Sequence, residues 1–138
     1  MKVYVSGPMT GIPEWNGPAF LEAAAALREI GHEVFCPAEI DLENGFDWHG
    51  LTGNENLRDE KYNFDIRKVL RDDLVWIADH ADALFLLPGW SHSRGARAEV
   101  ALAAALDLRA STRLDGVRRN RWLMVRGVWD MAAAGCVL

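Results

Sequence analysis

The sequence has little of what marks a specialised compartment or partner. Only two of its 138 residues are cysteine, Cys36 and Cys136, and they form neither a CxxC pair nor a metal-ligand spacing. Free buried thiols in a reducing compartment are therefore expected, not a disulfide framework. The four histidines are scattered, with no HExxH or comparable pattern, so no metal is expected. The glycines Gly7 and Gly11 match neither the dinucleotide fingerprint nor a P-loop, and no cofactor is expected. No run approaches the ~20 apolar residues of a membrane span. No charged segment followed by a long apolar stretch marks a signal peptide, so the expectation is a cytoplasmic protein with no membrane partner. Positive charge is not in excess: 15 Lys and Arg face 20 Asp and Glu, for a net charge of −5. That balance argues against a general grip on a nucleic-acid polymer, although the arginines of the last third can make a local basic patch. Internal repeats and low-complexity segments are absent.

What is present fits one soluble globular domain over residues 1–138: half of the residues are hydrophobic and a quarter charged. Lys2 to Ser6 reads as a strand that ends at Gly7-Pro8. Pro18 to Ile30 reads as a helix, with Asn16 as its N-cap, Gly31 past its end, and Phe20, Ala24 and Leu27 on its buried stripe. His32 to Cys36 reads as a short strand closed by Pro37. Residues 41–63 are polar and without a convincing period, which marks a long loop and a candidate active-site loop. In it, Trp48 and Tyr62 either stack on a ligand or, the commoner use, pack locally or face solvent. Phe64 to His80 has helical spacing, and Ala83 to Leu87 is a continuous apolar run, as in a strand covered on both faces. A helix follows from Gly95 to about Leu108, and Arg121 to Val128 has the character of a further strand. This alternation predicts an α/β fold: a three-layer, flavodoxin- or Rossmann-like parallel sheet flanked by helices. In such folds ligands sit beyond the C-terminal ends of the strands, where the loops Gly7 to Gly11 and Pro88 to Arg97 fall together.

The second of these loops is the most informative part of the chain. The apolar run stops at Pro88-Gly89, a small polar loop follows, and the next helix is expected to open with Glu99 in its first turn. Helix N-termini carry unpaired N–H groups and partial positive charge, which would hold an anionic ligand group and keep such a carboxylate ionised. Glu99 shares a helical face with Leu102, Ala103 and Leu106, so it points toward the sheet edge. The bland alternative is a first-turn acid that merely complements the helix dipole. Asp73 interrupts an apolar stripe made by Val69, Leu70, Trp76 and Ile77, and an acid there is costly unless it is paired or functional. The alternative is a structural ion pair or a partly exposed Asp. Asp72, beside Lys68, is the weaker candidate. Two such carboxylates could flank a glycosidic bond, one attacking or stabilising the anomeric carbon and the other moving the proton of the departing group. The Tyr4 hydroxyl could hold one of them in place, or be a core tyrosine with a routine hydrogen bond. Ser93, Gly95 and the first N–H groups of the helix make an anion cradle, although Ser93 could equally be a helix cap.

Taken together, Val3-Tyr-Val-Ser-Gly-Pro-Met-Thr-Gly11, Asp73-Leu-Val-Trp-Ile-Ala-Asp-His-Ala-Asp82 and Ser93-Arg-Gly-Ala-Arg-Ala-Glu99 resemble the nucleoside 2-deoxyribosyltransferase-like superfamily. The resemblance is to its short phage- or bacteria-encoded members that open with SGPMTG and carry LPGW, and it covers residues 1 to 108. It implies cleavage of the N-glycosidic bond of a nucleoside or its 5′-monophosphate by a homodimer. Glu99 matches the nucleophile that attacks C1′, Asp73 the acid/base that handles the departing base, and Tyr4 the residue that orients the nucleophile. Ser6, Gly7, Met9 and Gly11 match the substrate-binding loop, and Ser93, Arg94, Gly95 and Arg97 the substrate- or phosphate-binding one. Ser93 stands where transferases acting on free nucleosides carry Asp and the related 5′-monophosphate N-glycosidases carry Ser, which favours a nucleotide substrate. Two departures stand against this. Thr10 replaces a basic residue usual in those hydrolases, and residues 109–138 form a divergent segment that aligns with nothing in the family. That divergence keeps a second expectation open, a nucleotide-binding or sensing module of the same fold without turnover. A third is a phosphoribohydrolase-like or unrelated α/β protein in which Asp73 and Glu99 never meet.

Overall fold

The computed structural model describes residues 1–114. Four strands, β1 (Lys2–Ser6), β2 (Glu33–Phe35), β3 (Ala83–Leu86) and β4 (Arg109–Ser111), form one sheet in the order β2-β1-β3-β4. All three pairings are parallel, with Tyr4 beside Phe35 and Leu84, and Ser6 beside Leu86. The helices are α1 (Gly17–Glu29), α2 (Pro37–Glu43), α3 (Ile66–His80) and α4 (Arg94–Ala105). Because side chains alternate along a strand, Val3, Val5, Ala83 and Phe85 face one core with Phe20, Ala24 and Leu27 of α1. Tyr4, Leu84 and Leu86 face the other, with Ile77 of α3 and Ala103 of α4. The molecule is thus an α/β fold in three layers, with an all-parallel, Rossmann-like sheet covered on both faces. That double cover explains why β3 reads as an unbroken apolar run: all four of its residues are buried.

The element boundaries follow local chemistry. Asp65 caps α3, its carboxylate accepting from the Arg67 and Lys68 backbone N–H groups. Asn16 precedes α1 as expected but does not cap it: it adopts a left-handed backbone, and its side-chain amide donates to the Pro8 carbonyl at 2.7 Å. This bond ties the first loop to the base of α1. The expected loop 41–63 is shorter and better packed than its composition suggests. Its first residues finish α2, and Trp48 is buried with its indole N–H donating to the Ala38 carbonyl at 3.0 Å. Tyr62, Phe46 and Phe64 stack edge-on or tilted in a row, so the aromatics pack locally. A glycine at 17 lets the Trp48 ring lie flat on the start of α1, since a Cβ there would fall 2.5 Å from the ring.

Two boundaries correct the sequence reading. Helix α4 ends at Ala105 and not near Leu108; Asp107 takes a positive φ, and the chain then forms β4, inside the stretch expected to be divergent. A three-residue strand is too short to show a period. The strand expected at Arg121 to Val128 lies outside the described residues. No helix among the described residues is long and apolar enough to cross a membrane.

Candidate active site

The strand order changes direction between β1 and β3: the chain moves from β1 to β2 on one side, then crosses back to β3 and β4 on the other. At such a switch point the loops leaving the two strands part and open a crevice at the C-terminal edge of the sheet. Ser6 ends β1 there, and the loop 87–93 leaves β3 toward α4. The two loops touch at Gly7, where a Cβ would lie 2.7 Å from that of Leu87. The Leu87 backbone N–H donates to the Ser6 carbonyl at 2.8 Å.

Glu99 projects into this crevice from α4. The structure moves it out of the first turn, because α4 starts at Arg94 with Ser93 as its cap, the Ser93 hydroxyl accepting from the Ala96 N–H. The expected dipole effect is therefore replaced by burial and direct hydrogen bonds. Glu99 is 7 % exposed. The Tyr4 hydroxyl donates to its Oε1 at 3.0 Å and the Ser6 hydroxyl donates to its Oε2 at 2.5 Å. Tyr4 and Ser6 are two apart on β1 and so share its face. Burial raises the Glu99 pKa above the usual carboxylate range, and the Ser6 and Tyr4 hydroxyls pull it back. The expectation that Glu99 simply stays ionised at a helix end is corrected accordingly: its charge rests on two hydroxyl donors.

Asp73 enters from the middle of α3 and, with Ile77, is one of the two buried residues of that helix. Burial raises its pKa to about 8, and the charge of Glu99 adds to the rise, while the nearby Tyr4 hydroxyl opposes it. Tyr4, which donates to Glu99, is thus also close enough to Asp73 to act on its pKa. The phenol is itself pushed well above its ordinary value by burial and then by the two carboxylates. Tyr4 is held by ring contacts, stacked on Phe35 at 5.4 Å and tilted against Trp76 at 6.2 Å. Asp72 stays at the surface, paired to Lys68 at 2.6 Å.

The remaining expected site residues divide into two groups. Ser6 and Gly7 stand at the end of β1, Ser93 caps α4 and Gly95 lies in its first turn, and the exposed Arg94 and Arg97 flank the start of α4 without an ion pair among the described residues. Met9 and Gly11 belong to the loop that follows β1. Met9 packs on the core, and the Gly11 N–H donates to the Gly53 carbonyl at 2.8 Å, tying the first loop to residues 51–55. Asp41 of α2 was missed by the sequence reading. It is 4 % exposed, burial lifts its pKa to about 7, and its charge is felt at Asp73. Only its setting marks it, because a helix of seven residues gives no reliable stripe. Among the described residues no group of three His, Cys, Asp or Glu side chains is placed to hold a metal ion.

A family described as a domain of unknown function, DUF4406, has a model that matches residues 1–111. The chain belongs to the DUF4406 family. No curated protein and no solved structure gives a significant match. The matched region of this DUF4406 chain contains Tyr4, Ser6, Asp41, Asp73, Ser93 and Glu99, and therefore the whole constellation described above.

Chemically, the arrangement offers two acids in contrasting settings. Glu99 receives two hydroxyl donors, which favour the anion, while Asp73 sits in a poorer setting that favours the proton. Burial raises both carboxyls, but two hydroxyl donors pull Glu99 back toward the anion and the Glu99 charge pushes Asp73 further toward the proton. Such a pair is suited to one acting as a nucleophile or stabilising anion and the other as an acid.

Proposed function

We propose that the protein cleaves the N-glycosidic bond of a (deoxy)nucleoside 5′-monophosphate, with Glu99 as nucleophile and Asp73 as acid. The single observation that carries this reading is the meeting of a hydroxyl-bonded Glu99 with a proton-retaining Asp73 at the switch point of a parallel sheet. The glycosidic bond calls for that division of labour: an anion to meet positive charge developing at C1′, and a proton for the departing base. Attack by Glu99 forms a C1′–O bond as the C1′–N bond breaks, and the electron pair leaves with the base, which takes the Asp73 proton. Water then attacks C1′, gives its proton to Asp73 and releases Glu99. A second base in place of water makes the same site a transferase. Tyr4 and Ser6 hold the Glu99 carboxylate in one orientation through both steps. The phosphate is assigned to the Ser93 end of α4, where Arg94, Arg97 and free backbone N–H groups supply positive potential. The resemblance of the three motifs to deoxyribosyltransferase-like proteins supports the same reading.

The test is to incubate the protein with a panel of nucleosides and their 5′-monophosphates and measure free base by chromatography. Base release from monophosphates, abolished in Glu99→Ala, is the expected result. Tight nucleotide binding with no product would favour a sensing module, and unchanged release in Glu99→Ala would remove Glu99 from the mechanism.

A further inference from the structure

Three consecutive residues ahead of α1, Glu14, Trp15 and Asn16, hold left-handed backbone, with φ of 54, 50 and 60°. L-residues visit that region singly and at a cost, so a run of three persists only where its surroundings over-determine it. Residues 50–55 do so. The Glu14 N–H donates to the Leu51 carbonyl at 2.7 Å, and the Glu14 carboxylate accepts from the Gly50 N–H at 3.1 Å. The buried Trp15 donates its indole N–H to Glu55 at 2.9 Å. Glu55 is in turn held by the Thr52 hydroxyl and by the Thr52 and Gly53 N–H groups. The strained turn places one side chain. Asn16 stands at the N-cap position of α1 but leaves that helix without a side-chain cap. Its amide nitrogen donates instead, at 2.7 Å, to the Pro8 carbonyl, a group that can only accept.

Pro8 sits where the two loops of the crevice meet. It follows Ser6, which donates to Glu99, and Gly7, which touches Leu87. Its ring lies beside Gly89, where a Cβ would stand 3.4 Å from Pro8 Cγ. Gly89 takes a φ of +81° and opens the short turn Trp90–His92, which runs directly into Ser93, the cap of α4. That turn is closed by bonds from the His92 N–H to the Gly89 carbonyl and from the Ser93 N–H to the Trp90 carbonyl, both at 3.0 Å. Contacts thus run unbroken from the strained turn through Asn16, Pro8 and Gly89 to the start of α4. We propose that Asn16 is a positioning residue: its bond to Pro8 seats the loop after β1 against the loop that leads into α4, and so shapes the phosphate end of the site. The inference rests on the reading above, in which the 5′-phosphate lies at the Ser93 end of α4. Asn16 acts there through Pro8. The strain at 14–16 is retained because it aims an amide at this loop, at the expense of a cap on α1.

The experiment compares the wild type with Asn16→Gly and Asn16→Asp. Glycine takes left-handed backbone freely and deletes the donor, while Asp tolerates that backbone but sets a carboxylate against the Pro8 carbonyl. For dAMP, dGMP, dCMP and dTMP and the matching nucleosides, Kd is measured by calorimetry, and kcat and KM by base release. Asn16→Gly should keep its thermal midpoint within a few degrees of the wild type. Its Kd and KM for the monophosphates should rise about five- to tenfold, the equivalent of one lost hydrogen bond, with a smaller fall in kcat. The same constants for the nucleosides should change much less, and Asn16→Asp should lose at least as much as Asn16→Gly. Equal losses on nucleotides and nucleosides, or no loss on either, overturn the role of Asn16 while leaving N-glycosidic cleavage standing. Failure of both variants to fold makes Asn16 structural and also overturns the proposal. A wild type that binds the monophosphates without releasing base overturns the cleavage reading, and the Kd values then decide the role of Asn16 by the same comparison. A wild type that neither binds nor cleaves any of them removes both.

Discussion

The Ser6 hydroxyl donates to one oxygen of Glu99 while Tyr4, two residues earlier on the same strand, donates to the other, so 93 residues of sequence separate a carboxylate from the strand end that holds it. This pairing locks the carboxylate plane against β1. Ser6→Ala leaves Oε2 buried and unpaired, a loss of about 1.5–3 kcal/mol for a hydrogen bond to a charged group. The Glu99 pKa should rise further, and the acid limb of the kcat/KM profile for base release should move toward higher pH.

Tyr4→Phe keeps the stack on Phe35 and the contact with Trp76 but deletes the hydroxyl. The thermal midpoint should change by no more than a few degrees, whereas kcat should fall by about 10–100-fold, the rate equivalent of one hydrogen bond to a charged group. KM should move much less than kcat, because the hydroxyl orients the nucleophile and does not touch substrate. A loss confined to KM would place Tyr4 in binding instead.

Stability should fall as pH rises across the neutral range. Asp73 and Asp41 are raised from 3.8 to about 8 and about 7, so the folded state holds protons that the unfolded state has lost. Their favourable contribution is complete below about pH 4 and is lost progressively up to about pH 8. Denaturant midpoints measured between pH 5 and 9 should decline, and Asp73→Asn or Asp41→Asn should flatten the curve. A stability that increases over that interval would contradict the assigned directions.

Much of this organisation was legible before the fold was known, for reasons that differ by residue. Asp73 stood out because it breaks the apolar face of a long helix, and that helix is buried where the break occurs. The apolar run of β3 announced a strand covered on both faces. Glu99 was found through its helix, but its environment was misjudged: the cap lies at Ser93, so the acid belongs to the second turn and depends on β1. Contacts between β1 and α4 leave no periodic trace. Asp41 shows the same limit, since its burial is a property of the packed molecule. Trp48 and β4 were obscured by their surroundings, the one in a polar stretch and the other in three residues.

Trp48 provides a check on the packing of residues 41–63 against α1. Gly17→Ala inserts a Cβ 2.5 Å from the indole ring, an overpacking expected to cost about 1–3 kcal/mol. Trp48→Ala removes the ring altogether and should cost about 3–5 kcal/mol. Urea unfolding at constant m measures both, and a neutral Trp48→Ala would mean that the ring is dispensable to the core.

The most direct test of the central claim is a search for the covalent intermediate. A nucleoside 5′-monophosphate carrying fluorine at C2 of the sugar slows breakdown of a glycosyl-enzyme more than a normal substrate does, and intact-mass and peptide mass spectrometry then locate the sugar. The account predicts one sugar 5-phosphate attached to Glu99, absent from Glu99→Ala and reduced in Asp73→Asn. Rapid release of base with the sugar never attached to Glu99, or attached to another residue, would contradict it.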